Sequence, residues 1–394
     1  MACLSRNTIK QPKELAFDHE WLLTSLKGHS GAVSSLDFSS NGKYLLSCAE
    51  DRTLMLWPVK DFVAKDHKAV RVNVDLDTVT IVHWAPDCKS ALVHLSMESA
   101  LGFFRLAKKE GSSAQLKLER VDSVRFPRNT GAADIDHAGV ACSANFVMSC
   151  AGASSQFSVW SLRGELYKQT DTNQSEIYCA KVSPCGRFVA TSGFTPDVKV
   201  YEIAFDRMNA FQAVNRAFEL KGHNSGVYSF DFSQDSRRML TICKDGFWRL
   251  FDTDIRYQYG EDATVLFSEQ FHPLLAGNAP SLAALSPSAN SFAVATSVNL
   301  AVFEVPQEKK SKAAVQRIGL VHKEPISCLK FSADGEYLAT TGDKQIRIFK
   351  NVAGKRAELK SLQNQLLKPK GDAHKRRLQE QIEELEKELA TLRA

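Results

Sequence analysis

"FSSNGKYLLSC", residues 38–48, joins an aromatic residue, a small polar cluster and a run of mostly apolar residues. Ser, Asn and Gly favour a turn, and the flanking apolar and aromatic residues favour strands, so this stretch predicts a β-hairpin. The pattern returns six times. The copies are WAPDCKSALVHL (84–95), VACSANFVMSCA (140–151), VSPCGRFVATSG (182–193), FSQDSRRMLTIC (232–243), LSPSANSFAVAT (285–296) and FSADGEYLATTG (331–342). Successive copies begin 46, 56, 42, 50, 53 and 46 residues apart, which is the spacing of one repeating unit.

Each copy is followed by a second strand-like segment that ends in an aromatic residue. In chain order these segments end in LMLWP, LGFFR, FSVWS, VKVYE, WRLFD, LAVFE and IRIFK. A further run, such as AVRVNVD or RAFELKG, then follows. Four short strands with this period are typical of a propeller blade. The sequence therefore predicts an all-β fold, a seven-bladed β-propeller.

With this pattern the chain resembles the WD40 family over residues 21–350. It departs from the family because Trp-Asp never occurs, and only blades 1 and 3 end in Trp, at Trp57 and Trp160. The last copy lacks a fourth strand, whereas residues 21–26 form a strand-like run without a blade. We expect residues 21–26 to be the outer strand of blade 7, which leaves no long open sheet edge.

Longer stretches are similar to the transducin beta-like protein 2 family within the WD40 proteins. They are FSSNGKYLLSCAEDRTLMLW, SPCGRFVATSGFTPDVKVYE and RAFELKGHNSGVYSFDFSQDSRRM. This resemblance implies a scaffold at the endoplasmic reticulum that joins a stress-responsive kinase or the translation machinery to other proteins. That family usually carries an N-terminal hydrophobic anchor, whereas residues 1–20 contain no apolar run. We expect residues 1–20 to be an extension, and the protein to be cytoplasmic and at most peripheral at that membrane.

Composition agrees with an intracellular globular protein. The 394 residues carry 50 Lys and Arg against 45 Asp and Glu, and this net charge of +5 is small for a protein that wraps nucleic acid. The nine cysteines are scattered and form no Cys-x-x-Cys, which predicts reduced thiols. No stretch of 18 apolar residues predicts a transmembrane segment.

A Gly-His pair occurs twice in matching strings, LKGHSG at 26–31 and LKGHNSG at 220–226. The nearby Ser and Asp types could form a hydrolytic triad with His. The WD40 resemblance instead implies a structural hydrogen-bond chain from Asp to His to Ser or Thr to Trp, and incomplete copies around a ring favour this interpretation. The predicted network comprises His29, Ser47, Asp51 and Trp57 in blade 1, His223, Thr241 and Asp245 in blade 5, and His322 in blade 7. The same register gives Asp75, Gly131, Asn173 and Ala276 in blades 2, 3, 4 and 6.

Motifs of catalysis and ligand binding are missing from the sequence. It contains no phosphate-binding loop, no nucleophile elbow and no His or Cys spacing typical of zinc. The sequence therefore predicts a non-catalytic protein with no catalytic residue, no metal and no cofactor.

The face that carries the Gly-His loops is the usual docking surface in WD40 proteins. The register places Tyr178, Phe194, Pro196, Tyr228 and Lys244 on this face in blades 4 and 5. Aromatic side chains beside a lysine are typical of interface hot spots. The alternative is that the two tyrosines only cover the ends of inner strands.

Residues 351–394 predict a helical tail that could serve as a separate binding module. Leu378, Ile382, Leu385, Leu389 and Leu392 follow a heptad seam, which two helices could bury as an intramolecular hairpin or as a dimeric coiled coil. KPKGDAHK separates the two helical segments. Candidate contacts to RNA phosphates or another anionic partner are Lys370, Lys375, Arg376 and Arg377. The alternative function is therefore an RNA- or ribosome-associated adaptor.

Overall fold

The repeated turn joins the two innermost strands of each sheet. In the first copy, the Ser39 N–H donates to the Tyr44 carbonyl and the Gly42 N–H donates to the Ser39 carbonyl, both at 2.9 Å. Gly42 has a φ of 68°, a conformation that glycine adopts without strain. The computed structural model describes residues 17–64, 66–108, 116–124, 126–127, 134–271, 281–308, 311–367 and 372–391.

Seven four-stranded antiparallel sheets lie in the described part of the chain. Blade 1 contains β2 (Val33–Phe38), β3 (Tyr44–Ala49), β4 (Thr53–Pro58) and β5 (Val70–Asn73). Blade 2 contains β6 (Val79–Trp84), β7 (Ser90–Leu95), β8 (Ala100–Lys108) and β9 (Leu116–Arg120). Blade 3 contains β10 (His137–Val140), β11 (Val147–Cys150), β12 (Gln156–Trp160) and β13 (Leu166–Asp171).

The remaining blades repeat this order. Blade 4 contains β14 (Ile177–Val182), β15 (Phe188–Gly193), β16 (Val198–Phe205) and β17 (Phe211–Leu220). Blade 5 contains β18 (Val227–Phe232), β19 (Arg238–Cys243), β20 (Phe247–Asp252) and β21 (Thr264–Gln270). Blade 6 contains β22 (Ser281–Leu285), β23 (Ser291–Thr296), β24 (Asn299–Glu304) and β25 (Val315–Ile318). Blade 7 contains β26 (Cys328–Phe331), β27 (Tyr337–Thr341), β28 (Gln345–Lys350) and β1 (Leu22–Lys27).

The ring closes through β1, which comes from the start of the described chain. It pairs antiparallel with β28, with Leu26 opposite Ile346. Just before β1, Trp21 accepts a hydrogen bond from the Lys350 N–H at 2.8 Å, and its side chain is 3% exposed in the core of blades 6 and 7. The first and last strands of the propeller therefore belong to one sheet. The predicted fold, a seven-bladed propeller with a helical tail, is confirmed.

Neighbouring inner strands contact each other around the ring, and at the junctions of blades 1 and 2 and of blades 5 and 6 side chains accept backbone N–H groups of the next blade. From blade 1, Asp37 accepts the Trp84 N–H at 2.9 Å, and Ser35 accepts the Val82 N–H at 3.3 Å. These N–H groups lie on the open edge of β6 and would otherwise lack a partner in the sheet. The junction of blades 5 and 6 repeats the device, with Ser229 and Asp231 accepting the Ala283 and Leu285 N–H groups at 3.2 and 2.8 Å.

Two α-helices follow the last blade in the described part of the chain. They are α1 (Val352–Leu366) and α2 (Asp372–Thr391). The Asn351 side chain caps α1 by accepting the Gly354 N–H at 2.9 Å, and the helix packs on blade 6. α2 packs on α1.

The apolar residues of α2 that the heptad pattern selected are covered by this chain. Leu378, Ile382 and Leu389 are buried, and Leu385 is half-buried. Lys355 of α1 forms ion pairs with Glu388 of α2 at 2.7 Å and with Glu336 of blade 7 at 2.8 Å. The geometry is that of an intramolecular hairpin docked on the propeller. Leu392 lies outside the described residues.

Candidate functional site

In blade 1 the four side chains selected from the sequence lie in one hydrogen-bonded chain. His29 Nε2 lies 2.8 Å from Ser47 Oγ, and the Trp57 indole N–H donates to the same oxygen at 2.9 Å. His29 Nδ1 lies 3.3 Å from Asp51 Oδ1. Burial favours the neutral acid, but hydrogen bonds from Thr53, the Ser30 N–H and His29 outweigh it and lower the pKa of Asp51 to about 2.

Blades 5 and 7 hold a different version of this network. His223 Nε2 lies 2.7 Å from Thr241 Oγ1, and His322 Nε2 lies 2.8 Å from Thr340 Oγ1. Both blades end in Phe instead of Trp, so their network has no indole N–H. The third residue of the third strand is Met55 in blade 1, whereas in blades 5 and 7 it is an arginine opposite the threonine, at Arg249 and Arg347.

These arginines complete the network electrostatically. Arg347 Nη1 lies 3.1 Å from Asp343 Oδ2 and 2.6 Å from His322 Nδ1, and the Arg347 side chain is 7% exposed. Arg249 Nη1 lies 3.3 Å from Asp245 Oδ2 and also contacts His223. Our sequence interpretation did not include either arginine. The available signal was their shared position two residues before Phe, in WRLF and IRIF.

In blades 2 and 4 the register predicted from the sequence is wrong by one or two residues. The predicted Asp75 is exposed, whereas Asp77 is 3% exposed and accepts the Met97 N–H at 2.8 Å. In blade 4 Gln174, not Asn173, takes the histidine position and accepts from Thr191 Oγ1 at 2.9 Å. The loops differ in length before the inner strand, so counting back a fixed number of residues fails. Gly131 and Ala276 lie outside the described residues.

The buried hydroxyls of these networks have no access to a substrate. Ser47, Thr241 and Thr340 each have a relative exposure of 0%. A nucleophile must reach the reacting atom at about 3 Å. The arrangement therefore stabilises the blades and does not provide a nucleophile.

One cluster has the residue types of a metal site. His223, Cys243 and Asp245 place their ligand atoms within 4.8 Å of one another. However, the Arg249 guanidinium lies between His223 and Asp245, where a cation would have to bind. Burial also raises the pKa of the Cys243 thiol to about 12, which disfavours the thiolate. These residues fit an arginine-centred ion pair better than a metal ion.

Replacing His223 with Gln is expected to make stability less sensitive to acid. Burial and Arg249 lower the pKa of His223 to about 4, from an ordinary value of 6.5. Between pH 6.5 and 4 His223 is protonated in the unfolded chain but remains neutral in the folded chain. The free energy of unfolding therefore decreases as pH falls from 6.5 to 4. Gln retains a partner for Thr241, as Gln174 does for Thr191 in blade 4.

Urea unfolding at pH 7 and pH 5 measures this effect. The loss of unfolding free energy between the two pH values should be about 2 kcal/mol smaller in His223→Gln than in the wild type. His67→Gln, at a half-buried histidine outside the networks, is the matched control for the His-to-Gln substitution itself. An equal loss in all three proteins would show that His223 is not the titrating group.

Two tyrosines lie together at one mouth of the central channel. The rings of Tyr178 and Tyr228 are 6.0 Å apart, and both side chains are half-buried. Next to them Phe194 is 63% exposed, and its backbone would contact a Cβ atom on Gly226 at 3.2 Å. We call Tyr178, Phe194 and Tyr228 the aromatic mouth. Tyr178 and Tyr228 lie at the starts of β14 and β18, and Phe194 directly follows β15, where its backbone packs closely on Gly226.

Below the aromatic mouth, the channel has a volume of about 500 Å³ and contains charged side chains from blades 1, 4, 5 and 7. Lys181 Nζ lies 2.8 Å from Asp231, and Lys330 Nζ lies 3.5 Å from Asp37. Burial lowers the pKa of Lys330, but Asp37 and Asp231 outweigh it and the net pKa is raised. These charges compensate one another across the ring, so the channel carries no strong excess of either sign.

Comparison with known proteins agrees with the repeat pattern and the ring. The family described as "WD domain, G-beta repeat" matches residues 20–58, 215–252 and 316–350. Human transducin beta-like protein 2 is 40% identical over 385 residues, which cover 98% of this chain and 84% of the human protein. The chain belongs to the transducin beta-like protein 2 family of WD40 repeat proteins.

Two further proteins are similar to this chain. The mouse transducin beta-like protein 2 is 39% identical over 98% of this chain and 85% of the mouse protein. "Transcription initiation factor TFIID subunit 5" from Caenorhabditis elegans is 23% identical over 57% of this chain and 33% of its own length. WD40 proteins of this kind are generally non-enzymatic scaffolds, which agrees with the buried hydroxyls described above.

In this family member the face that carries the aromatic mouth is electrically polarised. We call this face the loop face, because the Gly-His loops lie on it. The opposite face carries the turns of the repeated hairpins, and we call it the hairpin face. The loops of this face between β5 and β16 carry mostly acidic residues. Two basic residues, Arg120 and Lys199, lie near them. The acidic residues are Asp75, Glu98, Asp122, Asp134, Asp136, Asp171, Glu176 and Asp197. Loops between β17 and β28 instead expose Lys221, Lys244, Lys323 and Lys344, with Glu324 among them.

The other residues selected from the sequence lie in two places. Pro196 and Lys244 are exposed on loop-face turns, and the Lys244 N–H donates to the Gly226 carbonyl at 2.9 Å. Lys375, Arg376 and Arg377 lie near the start of α2, where the two arginines are exposed. Lys370 lies outside the described residues. No helix among the described residues is long and apolar enough to cross a membrane.

Proposed function

We propose that this protein is a non-catalytic scaffold that binds a partner protein on its loop face, with the aromatic mouth as the anchor. The observation that carries the proposal is the exposed Phe194 beside the Tyr178 and Tyr228 pair. Aromatic side chains give large contact area with few rotatable bonds, and they dominate interface energies. Pro196 and Lys244 would form part of the rim.

The polarised loop face supports the same proposal. Acidic and basic halves on either side of an anchor orient a charged partner as it approaches, and they select against partners with the wrong charge pattern. The aromatic mouth lies at blades 4 and 5, where the acidic half ends and the basic half begins. A partner bound there would contact both halves.

The cellular setting is part of this proposal. On the strength of the family resemblance, we propose that the scaffold works at the endoplasmic reticulum in stress signalling or translation control. Its partner would be a stress-responsive kinase or a component of the translation machinery. The described part of the chain would then associate with that membrane indirectly, by binding other proteins.

Replacing Tyr178, Phe194 and Tyr228 together with Ala is expected to reduce partner capture at least tenfold. Each aromatic anchor of an interface contributes about 2 kcal/mol or more, so losing three removes most of the affinity. The measurement is affinity capture from cell extract with the full chain, followed by quantitative mass spectrometry against the wild type. A melting curve for each protein separates lost binding from lost folding.

The matched control is Met208→Ala with Tyr259→Ala. These side chains are 90% and 83% exposed, and both follow the third strand of a blade, on the hairpin face. The control should capture the same proteins as the wild type. Unchanged capture by a folded triple variant would refute the aromatic mouth as the anchor.

The alternative, an RNA- or ribosome-associated adaptor acting through the tail, has less support. Lys375, Arg376 and Arg377 form a short basic segment. The rest of α2 exposes an acidic surface next to it, which would repel nucleic-acid phosphates. The exposed acidic residues are Glu380, Glu383, Glu384, Glu386 and Glu388.

A further inference from the structure

Two exposed cysteines occupy neighbouring turns on the hairpin face. Cys142 lies in the turn between β10 and β11 of blade 3, and Cys185 lies in the turn between β14 and β15 of blade 4. The other described cysteines at blade cores, such as Cys48 and Cys243, are buried. Exposure makes Cys142 and Cys185 accessible to a soluble oxidant.

The two turns are in direct contact. Cys142 Sγ lies only 2.9 Å from the position that a Cβ atom on Gly186 would take, and the Cys142 N lies 3.1 Å from it. Gly186, with a φ of 70°, is the residue after Cys185. Because consecutive Cα atoms are about 3.8 Å apart, the Cys142 thiol is within reach of the Cys185 side chain after rotation about its χ1.

The same contact between turns occurs elsewhere in the ring. In blades 1 and 2, Ser40 Oγ lies 3.0 Å from Cys88 Sγ. Ser40 and Cys142 are both the first residue after the start of their turn, and Cys88 and Gly186 are both its left-handed residue. The close approach of neighbouring turns is therefore a property of the fold.

We propose that Cys142 and Cys185 form a disulfide bond between blades 3 and 4 when the protein meets a hydroperoxide. One thiolate attacks the peroxide oxygen, which forms a sulfenic acid and releases an alcohol or, from hydrogen peroxide, water. The second thiol then attacks the sulfenic sulfur, forms the S–S bond and releases water. Two thiols lose two electrons and two protons, and the peroxide O–O bond accepts them.

The local chemistry orders these steps. Burial and the neighbouring Cys185 raise the pKa of the Cys142 thiol, which disfavours Cys142 as the attacking thiolate. Cys185 Sγ lies 3.2 Å from Ser183 Oγ and must leave this contact to reach Cys142. We therefore assign the first attack on the peroxide to Cys185 and the second step to Cys142.

This bond would add a covalent link between the hairpin faces of two blades, where Asn209 of blade 4 already donates to Asn145 of blade 3 at 3.0 Å. It would close a loop of about 43 residues, and constraining a loop of that size in the unfolded chain raises stability. The oxidised protein should therefore melt at a higher temperature than the reduced protein. A thiol reductant should reverse the change.

The experiment treats the reduced full chain with hydrogen peroxide near stoichiometry, blocks free thiols with iodoacetamide and maps the peptides by mass spectrometry. We expect a peptide linking Cys142 to Cys185 in monomeric protein, a mass lower by two hydrogens, and no such link in Cys142→Ser or Cys185→Ser. Ser40→Cys, which places a second thiol against Cys88, is the positive control for a bridge between turns.

Three results would overturn the proposal. The first is that the Cys142 and Cys185 thiols are alkylated or oxidised to sulfinic acid and no peptide links them, although the Ser40→Cys control forms its link to Cys88. The second is a link from either residue to a different cysteine. The third is a link found only in a covalent dimer on a non-reducing gel.

Discussion

Arg347→Met is expected to lower the free energy of unfolding by about 3–5 kcal/mol, because it leaves the Asp343 carboxylate buried without its counter-ion. The Asp343 side chain is 9% exposed, and the Arg347 guanidinium donates to both of its oxygens, at 3.2 and 3.1 Å. Met is the residue that blade 1 has at this position, and it is an unbranched side chain close in size to Arg, so the substitution removes the charge with little change in volume. Blade 7 has Phe349 where blade 1 has Trp57, so its network also lacks the indole N–H that blade 1 uses to hold Ser47.

Urea unfolding of the wild type and the variant at pH 7 measures the loss. Arg317→Met removes an exposed arginine of β25 and should change stability by less than about 0.5 kcal/mol. The double variant Arg347→Met with Asp343→Asn should be more stable than Arg347→Met alone, because Asn is neutral and still accepts the Gln345 N–H. A double variant that is weaker than the single variant would refute the uncompensated charge as the cause.

Trp21→Ala is expected to cost about 3–5 kcal/mol and to loosen the closure of the ring. The Trp21 ring is 3% exposed, and the Arg356 guanidinium of α1 lies over it at 5.4 Å from its centre. It also belongs to the core that includes Val352 of α1 and Leu389 of α2. One side chain thus joins the closing strand, the last blade and the helical tail.

Hydrogen exchange distinguishes this closure from general loss of core packing. Trp248→Ala removes another buried tryptophan, 1% exposed, from the core of blades 5 and 6. Both variants should be destabilised, but only Trp21→Ala should accelerate amide exchange in β1 and β28 before the other strands. Uniform acceleration in both variants would argue that Trp21 has no special role in closure.

The repeat and its closure were accessible from sequence because they depend on local patterns. Turn residues between alternating strands recur with a near-constant period, and residues 21–26 had no other blade to join. The structure places β1 at Leu22–Lys27, within one residue of that expectation. Such features depend on neighbouring residues in the chain, which a sequence displays directly.

The arginine networks and the contacts between blades were not accessible in the same way. Arg347 and Asp343 are close in sequence, but a strand pattern alone does not tell whether Arg347 lies against His322 or in solvent. Gln174 replaces histidine with a residue of different chemistry, which a search for repeated histidines misses. The aromatic mouth combines residues that are fifty positions apart, from Tyr178 to Tyr228, and only the ring brings them together.

The pairing of β1 with β28 has a consequence for synthesis on the ribosome. The segment that completes blade 7 is made first, and its partner strand ends at Lys350, more than three hundred residues later. At about 5–20 residues per second, β1 waits roughly 15 to 65 seconds for its partner. During that time Trp21 and the edge of β1 lack the partners that cover them in the finished protein, so the nascent chain exposes an apolar ring and an unpaired strand edge.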